Sequence, residues 1–273
     1  MMLALITGSG FYDIDHLQDW QSEEIETDFG VVTLSRALWD GRDEVVFIAR
    51  HGSDHSIAPH LINYRANVAA LHSVGVTAIL ATAVSGGIAD GLEPGALVLI
   101  DDFLDFTNGR SGTFFDSPGT VQHTDMTTAY DPELRNLIAA AAVECGVALT
   151  VGGTYCTFNG PRFETPSEIR MAKMLGGDLV GMTGYPEVVL ARELGMAYGS
   201  IGVISNRAAG LGGGDLSIED IMSVLNKASE PLYQLIGATI DRYYSSAPSL
   251  DRATSRMYAG EEIPGWKLTT GDQ

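Results

Sequence analysis

Short runs of three to five mostly apolar residues recur along the chain, at 3–6, 45–49, 78–81, 96–100, 180–182 and 201–204. They are continuous rather than alternating, which predicts strands covered on both faces. Between them the spacing becomes helical. Residues 64–73 repeat apolar positions near i, i+4 and i+7, and Asp131 is placed to cap an Ala-rich helix over 132–144. Thr165-Pro166-Ser167-Glu168 opens a third helix that continues through Ile169, Met171, Ala172 and Leu175. Segments 187–194 and 218–244 read as the last two. The alternation predicts an α/β sandwich, a central mixed sheet flanked by helices. No repeat or low-complexity linker divides it, so residues 1–246 are expected to form one domain and 247–273 a surface tail. Residues 108–126, rich in Gly, Ser and Thr, predict a long loop of functional or interfacial kind.

Composition narrows the function. The chain has 273 residues, 45% of them hydrophobic, and no apolar run approaches the roughly 20 residues of a membrane span. MMLALITGSG at the start lacks the basic region and cleavage site of a signal peptide and reads as a first strand, so a cytoplasmic location is expected. A formal net charge of −19 argues against nucleic acid or an anionic membrane as partner. It leaves a phosphate ligand open, because anion sites are built locally from a few Arg, hydroxyl and backbone N–H groups. Cys145 and Cys156 are too few for a disulfide framework and lack metal spacing, so no metal site is expected.

Candidate chemistry centres on NGPRFET, residues 159–165, which joins the ring of Phe163 to the carboxylate of Glu164. Forty-two residues beyond Glu164, Asn206 supplies an amide that both donates and accepts. Together these groups match the edge of a 6-oxopurine, which offers N1–H, O6 and N7. Four segments near strand ends offer anion ligands. GSG at 8–10 exposes the Ser9 hydroxyl in a tight turn and fails as a dinucleotide fingerprint, since Asp13 stands where the third glycine belongs. RHGSDH at 50–55 offers Arg50 as a bidentate phosphate donor with His51 or His55 beside it; a solvated surface turn explains it equally well. TAVSGGI at 82–88 suits either a backbone nest around Ala83 and Val84 or a plain β-turn. In GMTGYPE, 181–187, Met182 covers a sugar or packs the core, and Thr183 has a hydroxyl for phosphate. His16, His60 and His72 have no comparable context.

In order, GSG, RHG, TAVSGGI, GPRFET, MTGYPEVVLARELG and SNRAAG resemble the trimeric purine nucleoside phosphorylase and methylthioadenosine phosphorylase family over about residues 3–244. The resemblance implies a nucleoside-phosphorylase-like sandwich, phosphorolysis of a purine nucleoside and a homotrimer. It also implies inorganic phosphate as co-substrate, with no metal or organic cofactor. Carried over, it implies phosphate ligands at Ser9, Arg50, His51, Ala83, Val84 and Thr183, and sugar over Met182. The base is implied against Phe163, Glu164 and Asn206, with Arg207 and Ala208 adjoining. His123, in the long loop, matches a residue lent to a neighbouring subunit's 5′ side; a solvated loop histidine is the other reading.

Methylthioadenosine members of the family carry a small hydroxyl residue in place of Glu164 and aspartates in place of Asn206 and Ala208. Glu164 and Asn206 here imply catalysis on a 6-oxopurine nucleoside, with Asn206 bonding O6 and a protonated N7. Ile218 falls where 5′-hydroxyl-binding members present a histidine. That position favours a 5′-methylthio group, as in methylthioinosine, unless Ile218 simply packs its helix; inosine and methylthioinosine both remain open. The competing readings are a 6-aminopurine methylthioadenosine phosphorylase, a nucleoside hydrolase, and a binding protein on the same fold.

Overall fold

The computed structural model describes residues 2–8, 17–52, 54–118, 122–212 and 217–254, the last eight by backbone alone. Among the described residues eleven strands form: β1 (Met2–Thr7), β2 (Leu17–Thr27), β3 (Gly30–Trp39), β4 (Asp43–Ala49), β5 (Val76–Gly87), β6 (Leu97–Leu99), β7 (Asp102–Asp105), β8 (Thr150–Val151), β9 (Thr154–Thr157), β10 (Leu179–Gly181) and β11 (Ala197–Arg207). The α-helices are α1 (Tyr64–Ser73), α2 (Pro132–Cys145), α3 (Pro166–Met174), α4 (Gly184–Glu193) and α5 (Ile218–Thr254). All strands join one mixed sheet in the order β2-β3-β4-β1-β5-β10-β9-β7, with β11 against β5 and β6, and β8 against β6.

Both faces of the central strands are buried, as the continuous apolar runs require. Along β1, Leu3 and Leu5 enter the core packed under α2 and α5, while Ala4 and Ile6 enter the one under α1 and α4. Val45 and Phe47 of β4 divide from Val46 and Ile48 in the same way. A smaller third core joins Ile169 and Ala172 of α3 to Cys156, Phe158, Val180 and Ala208. Burying each large aliphatic side chain is worth roughly 1.5–3 kcal/mol. The sheet is therefore a rigid platform for the loops at its strand ends.

Helix starts follow local rules. Asp131 accepts from the Leu134 amide at 2.8 Å, and Thr165 with Glu168 closes a capping box at the head of α3. Three differences from the sequence expectation matter. The hairpin β2–β3 was not expected; its outer strand is exposed continuously over residues 18–24 and mostly polar, so it lacks an apolar run. Residues 82–87, expected as a nest or turn, continue β5, and Asn206 lies within β11 rather than after it. Helix α5 runs on through position 247 to Thr254. Among the described residues, no helix is long and apolar enough to cross a membrane, and no group of three or more His, Cys, Asp or Glu is placed to hold a metal.

Candidate active site

Strand β5 has β11 along one edge over Ala78–Gly87. Along the other edge β1 pairs only as far as Ala81, and β10 pairs only from Gly86. Residues 82–85 therefore face a notch in the sheet. The Thr82 carbonyl points into it and accepts from Arg50 Nη1 at 2.5 Å. Because strand backbone groups alternate edges, the Val84 amide, two residues on, faces the same notch. The antiparallel register of β10, with Leu179 opposite Gly87 and Val180 opposite Gly86, directs Met182 and Thr183 back along it. The sheet thus supplies the anion-binding geometry that the sequence reading assigned to a turn.

Arg50 is 2% exposed at the end of β4. Its forked edge is not free for phosphate: Nε and Nη2 donate to Glu187 at 3.1 and 2.8 Å. The bidentate phosphate contact expected of Arg50 is thereby corrected, and Nη1 is the nitrogen turned toward the notch. It lies 3.3 Å from where a Cβ on Gly8 would stand. Glu187, fully buried on α4, also accepts from the Tyr198 hydroxyl at 2.6 Å. Burial works against the guanidinium charge, but the Glu187 carboxylate outweighs it and raises the Arg50 pKa. His51 sits beside Arg50 with Nδ1 at 2.8 Å from the Ile57 carbonyl, so Nδ1 carries the proton. Burial first, then Arg50 and His55, hold its pKa at about 4, and the ring is neutral at pH 7. Charge around the notch is therefore balanced, and an anion there relies on N–H and hydroxyl dipoles. Thr183 is buried at the head of α4 and does not spend its hydroxyl capping the helix.

The loops over the notch are packed against each other. A Cβ on Gly160 would collide with Met182 Sδ, and one on Gly210 would stand 2.6 Å from Pro166 Cβ. Hence GPRFET touches MTG, and the SNRAAG loop rests on the residues just after Glu164. Asn206 lies against Gly86, with Val180 and Ala208 on either side. Its Nδ2 donates to the Arg207 carbonyl at 2.8 Å and its Oδ1 accepts from Ser205 at 2.7 Å, which fixes the amide plane. Arg162 grips Glu168 through both terminal nitrogens at 2.8 and 2.7 Å, shaping the loop between them. That bidentate bond is the largest cause holding the Glu168 carboxyl at about 2. Phe163 stands 41% exposed, its ring uncovered, while Glu164 next to it is 8% exposed. Glu164 Oε1 is buried and has no hydrogen-bond partner. Burial, more than any other cause, pushes the Glu164 pKa up.

The structure thus gathers Arg50, His51, Val84 and Thr183 about the notch, and beside it Asn206 at the end of β11 with Met182, Phe163, Glu164 and Ala208 in the adjoining loops. Ala83, the neighbour of Val84, turns its own amide toward β11. Ser9 lies outside the described residues. None of the contacts just named includes His123, exposed on the loop before α2, or Ile218, 64% exposed at the start of α5. Arg207 is corrected: its guanidinium turns away to the Ala89 and Leu92 carbonyls, at 2.7 and 3.1 Å. Two residues escaped the sequence reading. Glu187 had one signal, a lone carboxylate in the otherwise apolar YPEVVLA stretch; Arg110, half-buried among backbone carbonyls, had none.

Residues 2–241 match the Phosphorylase superfamily. A probable 6-oxopurine nucleoside phosphorylase of Moorella thermoacetica is 45% identical over 237 residues, covering 86% of this chain and 91% of that protein. A probable S-methyl-5′-thioinosine phosphorylase of Xanthomonas campestris is 41% identical over 239 residues, covering 86% and 95%. Among solved structures, methylthioadenosine phosphorylase from Schistosoma mansoni in complex with adenine superposes with a TM-score of 0.84 at 28% identity, over 94% of this chain and 98% of that one. With the family pattern spanning residues 2–241 and relatives above 40% identical over most of both chains, the chain belongs to the Phosphorylase superfamily.

Proposed function

We propose that this protein is a purine nucleoside phosphorylase for 6-oxopurine nucleosides, releasing the base and leaving ribose 1-phosphate or its 5-methylthio analogue. The observation that carries the reading is the buried, partnerless Oε1 of Glu164 beside the uncovered ring of Phe163. A desolvated carboxylate oxygen without a donor is costly unless a ligand supplies one. Hypoxanthine and guanine supply N1–H, whereas adenine presents a lone pair at N1. The relatives named for 6-oxopurine nucleosides and methylthioinosine support the same base class. Asn206, with its amide plane fixed, bonds O6 and a protonated N7 as the glycosidic bond stretches and negative charge enters the ring.

Inorganic phosphate is the co-substrate. It lies in the notch, held by Arg50 Nη1, Thr183 and the backbone at Val84, with its own P–OH donating to the bare Nε2 of His51 and the ribose over Met182; the family resemblance adds Ser9. It attacks C1′ from the face opposite the departing base as the sugar gains oxocarbenium character. Catalysis is positioning plus stabilisation of departing charge, and no organic cofactor or metal takes part. The assembly is a homotrimer in the cytoplasm, in which His123 reaches a neighbouring subunit's 5′ side.

The test is release of base from inosine, guanosine and 5′-methylthioinosine, each with and without phosphate. Stoichiometric sugar 1-phosphate that vanishes without phosphate is expected. Base release at the same rate in phosphate-free buffer would make the protein a hydrolase. The methylthio substrate is included because Ile218 offers an apolar 5′ neighbour; a higher kcat/KM for methylthioinosine than for inosine assigns it that role.

A further inference from the structure

We infer that Arg110, which touches none of the proposed substrate groups, is a positioning residue that locks the sugar-covering and base-covering loops to each other and so sets nucleoside affinity. The inference rests on the functional reading above for what those loops cover, but its geometry stands alone. Arg110 belongs to the long loop between β7 and α2. Its Nη1 donates to the Tyr185 carbonyl at 2.5 Å, and its Nη2 to the Met182 carbonyl at 2.8 Å. The same Nη2 reaches the Asn159 carbonyl at 3.1 Å and the Phe158 carbonyl at 3.4 Å. One guanidinium therefore ties four carbonyls from two segments. The first, 158–159, leads directly into Phe163 and Glu164; the second, 182–185, holds Met182 and Thr183.

The two segments leave the sheet from paired strands, β9 and β10, and the last backbone bond between them is Phe158 N–H to the Gly181 carbonyl at 2.9 Å. Beyond that point the other contact between them identified above is Gly160 against Met182. The guanidinium is itself held in place. Its carbon lies 5.3 Å from the Tyr64 ring centroid, and Nη1 is 3.4 Å from the Tyr64 hydroxyl. Tyr64 in turn is buried at the head of α1 and bonds the Pro59 carbonyl at 3.1 Å. Arg110 makes no ion pair among the described residues, so its partners are backbone dipoles, and their geometry is what its charge fixes. A planar fork with donors on both sides suits divergent carbonyls; an ammonium, a compact point charge on a flexible stem, does not hold them in one plane. Losing this clamp frees the ring of Phe163 and the sulfur of Met182 to move relative to each other, and misplacement by about 1 Å is enough to cost roughly 100-fold in a positioned reaction. Phosphate is held across the notch mainly by Arg50 and the β5 backbone, with Thr183 its one ligand on a clamped segment, so its affinity depends on the clamp far less than the nucleoside's.

The experiment uses the full-length variants Arg110→Gln, Arg110→Lys and Arg110→Ala, with hydrogen exchange and steady-state kinetics on each. Expected in Arg110→Gln is faster exchange, by tenfold or more, confined to amides of 158–165 and 182–186, with core amides of β1, β5 and β11 unchanged. The nucleoside KM is expected to rise about 10- to 100-fold while the phosphate KM, tied to the clamp through Thr183 alone, rises far less. Added methylguanidinium should restore the nucleoside KM of Arg110→Ala toward wild type, which a merely structural loss would not allow. Unchanged exchange in the two loops overturns the inference, as does exchange raised throughout the sheet or a parallel rise of both KM values. If wild type turns over no nucleoside, the functional reading fails, while the exchange pattern still decides whether Arg110 locks the loops. Should Arg110→Ala not fold, Arg110→Gln and Arg110→Lys decide alone.

Discussion

Replacing Glu164 by Gln keeps the side chain's size and removes its charge, and its consequences run in opposite directions for function and stability. In the wild type, Oε1 is buried without a partner, and burial has raised the carboxyl pKa above its ordinary 4.5. A purine N1–H bonded to that charged acceptor is worth about 1.5–3 kcal/mol. Losing it lowers kcat/KM for inosine by about 10- to 150-fold, at 1.4 kcal/mol per decade. The Gln amide can instead present N–H to adenine N1, so kcat/KM for adenosine rises and the preference narrows from both sides. For stability the sign follows from the raised pKa. A carboxyl whose pKa is higher folded than unfolded destabilises the folded state once ionised, so its stability contribution is present below pH 4.5 and lost as pH rises through the folded value. Glu164→Gln should therefore match the wild type at pH 4 and show a higher Tm at pH 8, in the absence of ligand. Initial rates on the two nucleosides and thermal unfolding at the two pH values check this. An inosine kcat/KM within twofold of wild type, or a lower Tm at pH 8, would refute the assignment of Glu164 as a desolvated acceptor awaiting a donor.

Other outcomes follow from the same geometry. Glu187→Gln breaks the buried pair that aims Arg50, so the phosphate KM should rise tenfold or more with the nucleoside KM little changed; the fold should lose about 3–5 kcal/mol in denaturant titration. Gly160→Ala, at a φ of +62 and with its new Cβ driven into Met182, should raise the nucleoside KM and leave the phosphate KM alone in matched kinetic titrations. In a pH–rate profile, kcat/KM for inosine should fall as pH drops through the raised Glu164 pKa, because the protonated carboxyl cannot accept N1–H. The same profile for Glu164→Gln should lose that limb.

Much of this was readable in the chain, and the reasons differ by residue. Asp131 and the Thr165–Glu168 pair act within one turn, so their caps are written locally and hold in the structure. Apolar runs gave the doubly buried strands because both of their faces need oil. β2 was invisible because its QDWQSEE residues stay exposed and only pairing with β3 makes them a strand. The stretch around Ala83 and Val84 looked like a turn because it is built of small residues. Those residues are small because β11, β10 and Asn206 crowd against them; a Cβ on Gly86 would meet Val180, Ala208 and Asn206 at 3.2–3.3 Å. Motif reading located Arg50 and Arg207 but not where their charges go, since the partners, Glu187 and the Ala89 and Leu92 carbonyls, lie more than 100 residues away. Arg110 was unreadable for a related reason. Its partners are main-chain carbonyls, which every residue has and no motif records.

The central claim is that Glu164 and Asn206 together read a ring with N1–H and a 6-carbonyl. The most direct measurement is competition between inosine and adenosine in one phosphate-containing reaction, since the two share a sugar and a 5′-hydroxyl and differ at the purine edge alone. The account predicts that inosine is consumed with a kcat/KM at least 100-fold above that of adenosine, and that the ratio collapses in Glu164→Gln. Equal consumption of the two, or preference for adenosine by the wild type, would contradict it.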